Sequence, residues 1–263
     1  MNSNFARDFA GELKEMDRLF AKTFSPWLEK IDYYVQNLQN DLNWIIMPRT
    51  LLSIFDYLNV EKDMAVHMTV IFRSAYLGTE IHALVKDDEE GQVFNPELQF
   101  NILFGDHIFG HLLKLLLNAG AEKYLSLLAE MICRINEGML YKYKLGAGHK
   151  VALQKTTAPF YSTAFLMAAR LKEVDNDQEE LVKALGYNMG MSIGLLNYAC
   201  GFSKNQAFID CTHCLADSHY YLNKSKELLG VLALKRGKSC SRLENLIADL
   251  TIKQRGLDRA IAI

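Results

Sequence analysis

Only four prolines interrupt the 263 residues, and the sixteen glycines are never adjacent. No stretch is rich in proline, glycine or serine, which excludes a low-complexity linker and leaves one domain over residues 1–263 as the expectation. No uninterrupted apolar run approaches the roughly 20 residues that a membrane-spanning helix requires, so no transmembrane segment is expected. Even the leucine-rich HLLKLLL carries Lys114. Excess charge of one sign is also missing. The net charge is −2 and no basic stripe is visible, which excludes an electrostatic nucleic-acid surface. The five cysteines (Cys133, Cys200, Cys211, Cys214 and Cys240) are odd in number and most sit in apolar helical patterns. A reduced, cytoplasmic protein with buried thiols is expected. The first twenty residues, MNSNFARDFAGELKEMDRLF, are amphipathic with mixed charges and lack the pattern of a signal peptide. Neither a Ser-His-Asp set nor a phosphate-binding loop is visible.

What is present is helical periodicity. Half of the residues are hydrophobic and 23% are charged, ample for a sizeable core. In EKYLSLLAEMICRINEGML, residues Tyr124, Leu128, Met131, Ile132, Ile135 and Met139 recur at three- and four-residue steps, with Glu130 and Arg134 paired on another face. Ser25-Pro26 and Asn95-Pro96 read as helix starts, as does Asp177 with Glu180. Gly120, the LGAG of residues 145–148, Gly230 and Gly237 read as stops. Strand-type alternation is absent. Roughly ten helices result, and those over 61–86 and 181–200 are apolar on more than one face, as in the centre of a large bundle.

Three segments carry chemistry when taken in order. LVKDDEEG (84–91) closes a helix with Asp87, Asp88, Glu89 and Glu90. FGDHIFGHLLKLL (104–116) precedes AEMICRINEGML. QKTTAPFYSTAFLMAARL (154–171) precedes LGYNMGMSIGLLNYACGF (185–202). This order resembles the all-trans polyprenyl diphosphate synthase family, whose members carry a DDxxD-type motif, a GDYLF segment, a KTA lysine and a GxNxG helix ending in a second aspartate motif. The resemblance spans roughly residues 60–230. It implies an all-α isoprenoid-synthase-type bundle of long helices around a central cavity. Two aspartate motifs would face each other there and clasp Mg2+ on a prenyl diphosphate. Hard magnesium ions take oxygen ligands, and carboxylates one helical turn apart point the same way.

The sequence departs from that pattern in specific places. Asp87 and Asp88 match the leading aspartates, but the third position falls on Gly91 and the preceding histidine is replaced by Lys86. The arginine pair that follows has no counterpart, and only Pro48 and Arg49 stand near the isopentenyl-diphosphate segment. Aligning Gly186, Asn188 and Gly190 with GxNxG puts Asn197, Tyr198 and Gly201 at the three aspartate positions of the second motif, with Gly194 at the preceding glutamine. None supplies a carboxylate. Asp87 and Asp88 remain as metal candidates and Lys155 as the diphosphate-binding candidate. Electrostatic stabilisation of the leaving group is the dominant catalytic contribution, so independent catalysis is not expected.

The resemblance therefore implies the non-catalytic subunit of a heteromeric long-chain synthase. It would pair with a motif-complete catalytic subunit and support a prenyl chain for a quinone such as menaquinone, with any Mg2+ held weakly or by the partner. A slow enzyme acting alone and a prenyl-lipid binding protein are the alternatives. His107 and His111 stand four apart, and Cys211, His213, Cys214, Asp217 and His219 cluster in CTHCLADSH. Both continue helical patterns without a matching second ligand pair, so helix residues rather than zinc ligands are expected.

Overall fold

The computed structural model describes residues 9–85, 96–202 and 208–261, with the side chains of 202, 208–210 and 259–261 excepted. Eleven α-helices and no strand occur among them: α1 Ala10–Phe24, α2 Leu28–Asn37, α3 Leu42–Tyr57, α4 Lys62–His82, α5 Pro96–Asn118, α6 Leu125–Tyr143, α7 His149–Thr156, α8 Ala158–Leu171, α9 Asn176–Phe202, α10 Phe208–Arg236 and α11 Ser241–Ile261. The all-α expectation holds.

The helices expected to be apolar all round are the central ones. Val66, Met68, Val70, Ile71, Phe72, Ala75 and Leu77 of α4 are all buried, as are Met189, Met191, Ile193, Leu195 and Leu196 of α9. One continuous hydrophobic cluster links α1 to α11. A fully buried apolar side chain contributes about 1.5–3 kcal/mol, so these two helices alone anchor the bundle. Arg73 ties α1 to α4: its guanidinium lies 4.2 Å from the Trp44 ring centroid and 2.9 Å from the Asp17 carboxylate.

Helix α9 approaches α8 closely because of two glycines. A Cβ on Gly186 would lie 2.6 Å from the Tyr161 carbonyl oxygen and 2.8 Å from the Phe165 side chain; one on Gly190 would lie 3.0 Å from the Ala158 Cα. Gly186→Ala should therefore destabilise by about 1–3 kcal/mol, despite the roughly 1 kcal/mol that alanine gains in helix propensity. Gly230, with nothing within 4 Å of its would-be Cβ, is the control. Urea unfolding should show Gly230→Ala unchanged or stabilised, and equal midpoints for the two variants would refute the packing argument.

Several local expectations need correction. Gly120, Gly146 and Gly237 do end or follow helices with positive φ, but Gly230 lies inside α10, which the buried Leu229 and Leu232 on either side carry onward. Pro26 does not open α2. It lies in a turn closed by the Trp27 amide on the Phe24 carbonyl (2.7 Å), and the helix begins at Leu28. Helix α9 is capped two residues earlier than expected. Asp175, not Asp177, accepts the Gln178 amide at 2.8 Å and its side-chain amide at 2.6 Å. Pro96 is the first residue of α5 and Glu130 pairs with Arg134, both as expected. Cys211, Cys214 and Cys240 are buried, whereas Cys133 is exposed.

Helix α5 is long and apolar enough, by length and composition, to cross a membrane. In the bundle it packs along α4, burying Phe104, Gly105, Ile108, Leu112, Leu115 and Leu116. Leu103, Leu113 and Leu117 stay outside, 68%, 49% and 63% exposed.

Candidate functional site

A cavity of about 200 Å³ lies at the centre of the bundle. Its walls follow from helical periodicity. Tyr76, Thr79, Glu80 and Ala83 form one stripe of α4 and its end, and Gly194, Asn197 and Tyr198 one stripe of α9. Asp41 and Asn43 enter from the start of α3, Met139 and Lys142 from α6, and Thr156, Thr157 and Phe160 from the α7–α8 junction.

A polar network crosses this space. Asp41 caps α3, its Oδ1 accepting the Trp44 amide at 2.8 Å and the Tyr76 hydroxyl at 3.0 Å. Its Oδ2 accepts the Asn197 side-chain amide at 2.8 Å, and Asn197 Oδ1 in turn accepts the Leu42 amide at 2.7 Å. Asn43 accepts the Tyr161 hydroxyl at 3.3 Å. Tyr198 bonds His149 at the start of α7. Burial pushes the Tyr76 and Tyr161 phenols well above their ordinary range. Burial, followed by the negative charge of Asp41, lifts the Glu80 carboxyl to about 7, with Lys142 and the neighbouring Tyr76 hydroxyl opposing the shift.

No family model and no curated protein matches the chain by sequence. Solved structures do match. The chain is similar to a geranyltranstransferase from Methanosarcina mazei (13% identity, TM-score 0.72, covering 95% of this chain and 97% of that one). It is similar to a heptaprenyl diphosphate synthase from Staphylococcus aureus (12%, TM-score 0.71, 94% and 98%). It is also similar to a geranyl diphosphate synthase small subunit from Antirrhinum majus (15%, TM-score 0.59, 88% and 99%). The chain has the isoprenyl diphosphate synthase fold.

Two of the three positions aligned with the second aspartate motif of isoprenyl diphosphate synthases line the cavity. Asn197 and Tyr198 do so, and both are engaged in internal bonds; Gly201 is exposed and outside it. Magnesium takes oxygen ligands and is typically bound through one or two carboxylates plus substrate phosphates. The α9 wall offers an amide and a phenol, and both Asp41 oxygens already accept hydrogen bonds. Among the described residues no group of three or more His, Cys, Asp or Glu could hold a metal. The α9 wall therefore supplies no carboxylate to a magnesium clasp, and Asp41 and Glu80 are the acids among the described cavity residues. Asp87 and Asp88, with Glu89, Glu90, Lys86 and Gly91, lie outside the described residues.

Lys155 is placed elsewhere. Its Nζ is 3.2 Å from Glu137 Oε2 and 4.4 Å from the Tyr141 ring centroid, in a separate cleft beside Arg134 and Tyr187. Pro48 is buried in α3 and Arg49 half-buried, neither lining the cavity. His107 and His111 stack in a T-shaped arrangement (centroids 4.5 Å) against Trp27 and Phe24, an aromatic cluster. His213 and His219 are exposed while Cys211 and Cys214 are buried, so the α10 helix separates them. Sequence reasoning missed Asp41 and Glu80. The legible signal for Glu80 was a lone acid inside the apolar stretch SAYLGTEIHALV.

Proposed function

We propose that this chain is the non-catalytic subunit of a heteromeric long-chain polyprenyl diphosphate synthase. The observation that carries the reading is the fate of the second motif. Asn197 and Tyr198 stand where metal-binding aspartates are expected and act as struts that join α9 to α3 and α7. A cavity of about 200 Å³ is also below the roughly 300–1,000 Å³ usual for ligand sites. That size speaks against the lipid-carrier alternative.

A subunit needs a face. Leu103, Leu113 and Leu117 of α5 recur on one stripe around Gly110, and Leu125 and Leu140 of α6 are 45% and 61% exposed. Exposed large apolar side chains of this kind favour association. The small-subunit structure named above supports the same reading by analogy of fold. Any magnesium and the allylic diphosphate would be handled by the motif-complete partner. The product would be the prenyl chain of a quinone such as menaquinone, made in the cytoplasm.

Reconstitution tests the proposal. The chain alone, supplied with farnesyl and isopentenyl diphosphates and Mg2+, should show no elongation. Mixed with a motif-complete synthase from the same genome that is poorly active alone, it should restore elongation. Robust turnover by the isolated chain would support the lone-enzyme alternative instead.

A further inference from the structure

A second cavity, about 320 Å³, lies between α1, α4 and α5. It is distant from the central site: His67 lines it, and thirteen residues of α4 separate His67 from Glu80, about 20 Å along the helix axis. Its volume falls within the usual range for a small-ligand site.

The lining is chemically one-sided. Lys22 of α1, His67 of α4, and His111 and Lys114 of α5 converge on it, over a floor that includes Leu19 and the buried Leu115. No Asp or Glu lines it. Among the described residues neither lysine forms an ion pair, although twelve such pairs occur elsewhere in the bundle. Glu15 of α1 is bonded to Arg18, and the His67 ring is held by the Asp63 backbone carbonyl at 2.8 Å. His111 Nδ1 is buried with no hydrogen-bond partner. Burial, then the positive fields of His107 and Lys114, lower the pKa of His111. Two exposed ammonium groups with no acid in the lining, and the buried His111 Nδ1 in its N–H tautomer, are donors that converge on one cleft and suit an anion.

We infer that this cleft binds an amphipathic anion of the phosphate-monoester class, its head between Lys22 and Lys114 and its apolar part against Leu19 and Leu115. The charged head satisfies the lysines by charge-assisted hydrogen bonds, and the apolar floor supplies the remaining contact. The inference stands independently of the subunit reading, because it uses none of the central-cavity residues and none of the exposed α5–α6 leucines.

The probe is octyl phosphate, titrated into the full chain while the His67 and His111 imidazole signals are followed by NMR. Saturable shifts are expected, with octanol producing none. The double variant Lys22→Ala/Lys114→Ala should weaken binding at least tenfold. Both lysines are exposed, so its thermal unfolding should match that of the parent chain. Lack of a saturable shift, an equal response to octanol, or unchanged affinity in the double variant would each overturn the inference. Inorganic phosphate binding as tightly as octyl phosphate would overturn the role given to Leu19 and Leu115.

Discussion

Glu80→Gln should raise the melting temperature by about 4–8 °C at pH 8 and leave it nearly unchanged at pH 4.5. The carboxyl of Glu80 titrates at about 7 in the folded chain against an ordinary value of 4.5. The folded state therefore holds a proton that the unfolded state has released, and stability falls as pH rises from 4.5 through about 7. Below that window both states are protonated and the group contributes nothing to the difference. Above it, the folded chain carries a buried carboxylate next to Asp41. A shift of this size corresponds to about 3 kcal/mol at most, trimmed to about 2 because the half-buried side chain keeps some solvent. For a chain of this length that is about 2–4 °C per kcal/mol. Glutamine imitates the protonated acid in shape and retains a donor for the cavity. Melts at the two pH values decide the matter, and an equal gain at both would show that titration of Glu80 is not the cause.

Leu113→Glu combined with Leu117→Glu should abolish association with the proposed catalytic partner while leaving the isolated chain folded. Both side chains are largely exposed, so the core loses nothing. In a complex each leucine would contribute about 1.5–3 kcal/mol on burial. Their replacement by carboxylates adds a desolvation penalty. A loss of about 3 kcal/mol or more weakens binding at least roughly 100-fold. Sedimentation of the mixture and its elongation rate should fall together, while the thermal melt of the isolated variant stays within about 2 °C of the parent. An intact complex would move the interface away from α5.

Much of the fold was legible because helix formation is local. The three- and four-residue spacing of Tyr124, Leu128, Met131 and Ile135 reappears as the buried side of α6, and the glycines at 120, 146 and 237 stand where their φ is positive. Gly230 misled because glycine reads as a stop only when nothing beyond it is buried; Leu232 holds the helix in place. The start of α9 was misplaced because two acids two residues apart compete for the cap, and only the backbone path decides that Asp175 wins.

The sequence by itself determined that the bundle is helical, that α4 and α9 are central, and that positions 197, 198 and 201 carry no carboxylate. Those are statements about side-chain chemistry and short-range spacing. Tertiary structure alone decided that Asn197 bonds Asp41, 156 residues away, and that Lys155 pairs with Glu137 outside the central cavity. It also decided that Glu80 is desolvated and that Leu103, Leu113 and Leu117 face outward. Periodicity tells which residues share a helix face. Only the packing of other helices against that face decides whether it is buried, and hence whether an acid there titrates near 7 or a leucine waits for a partner.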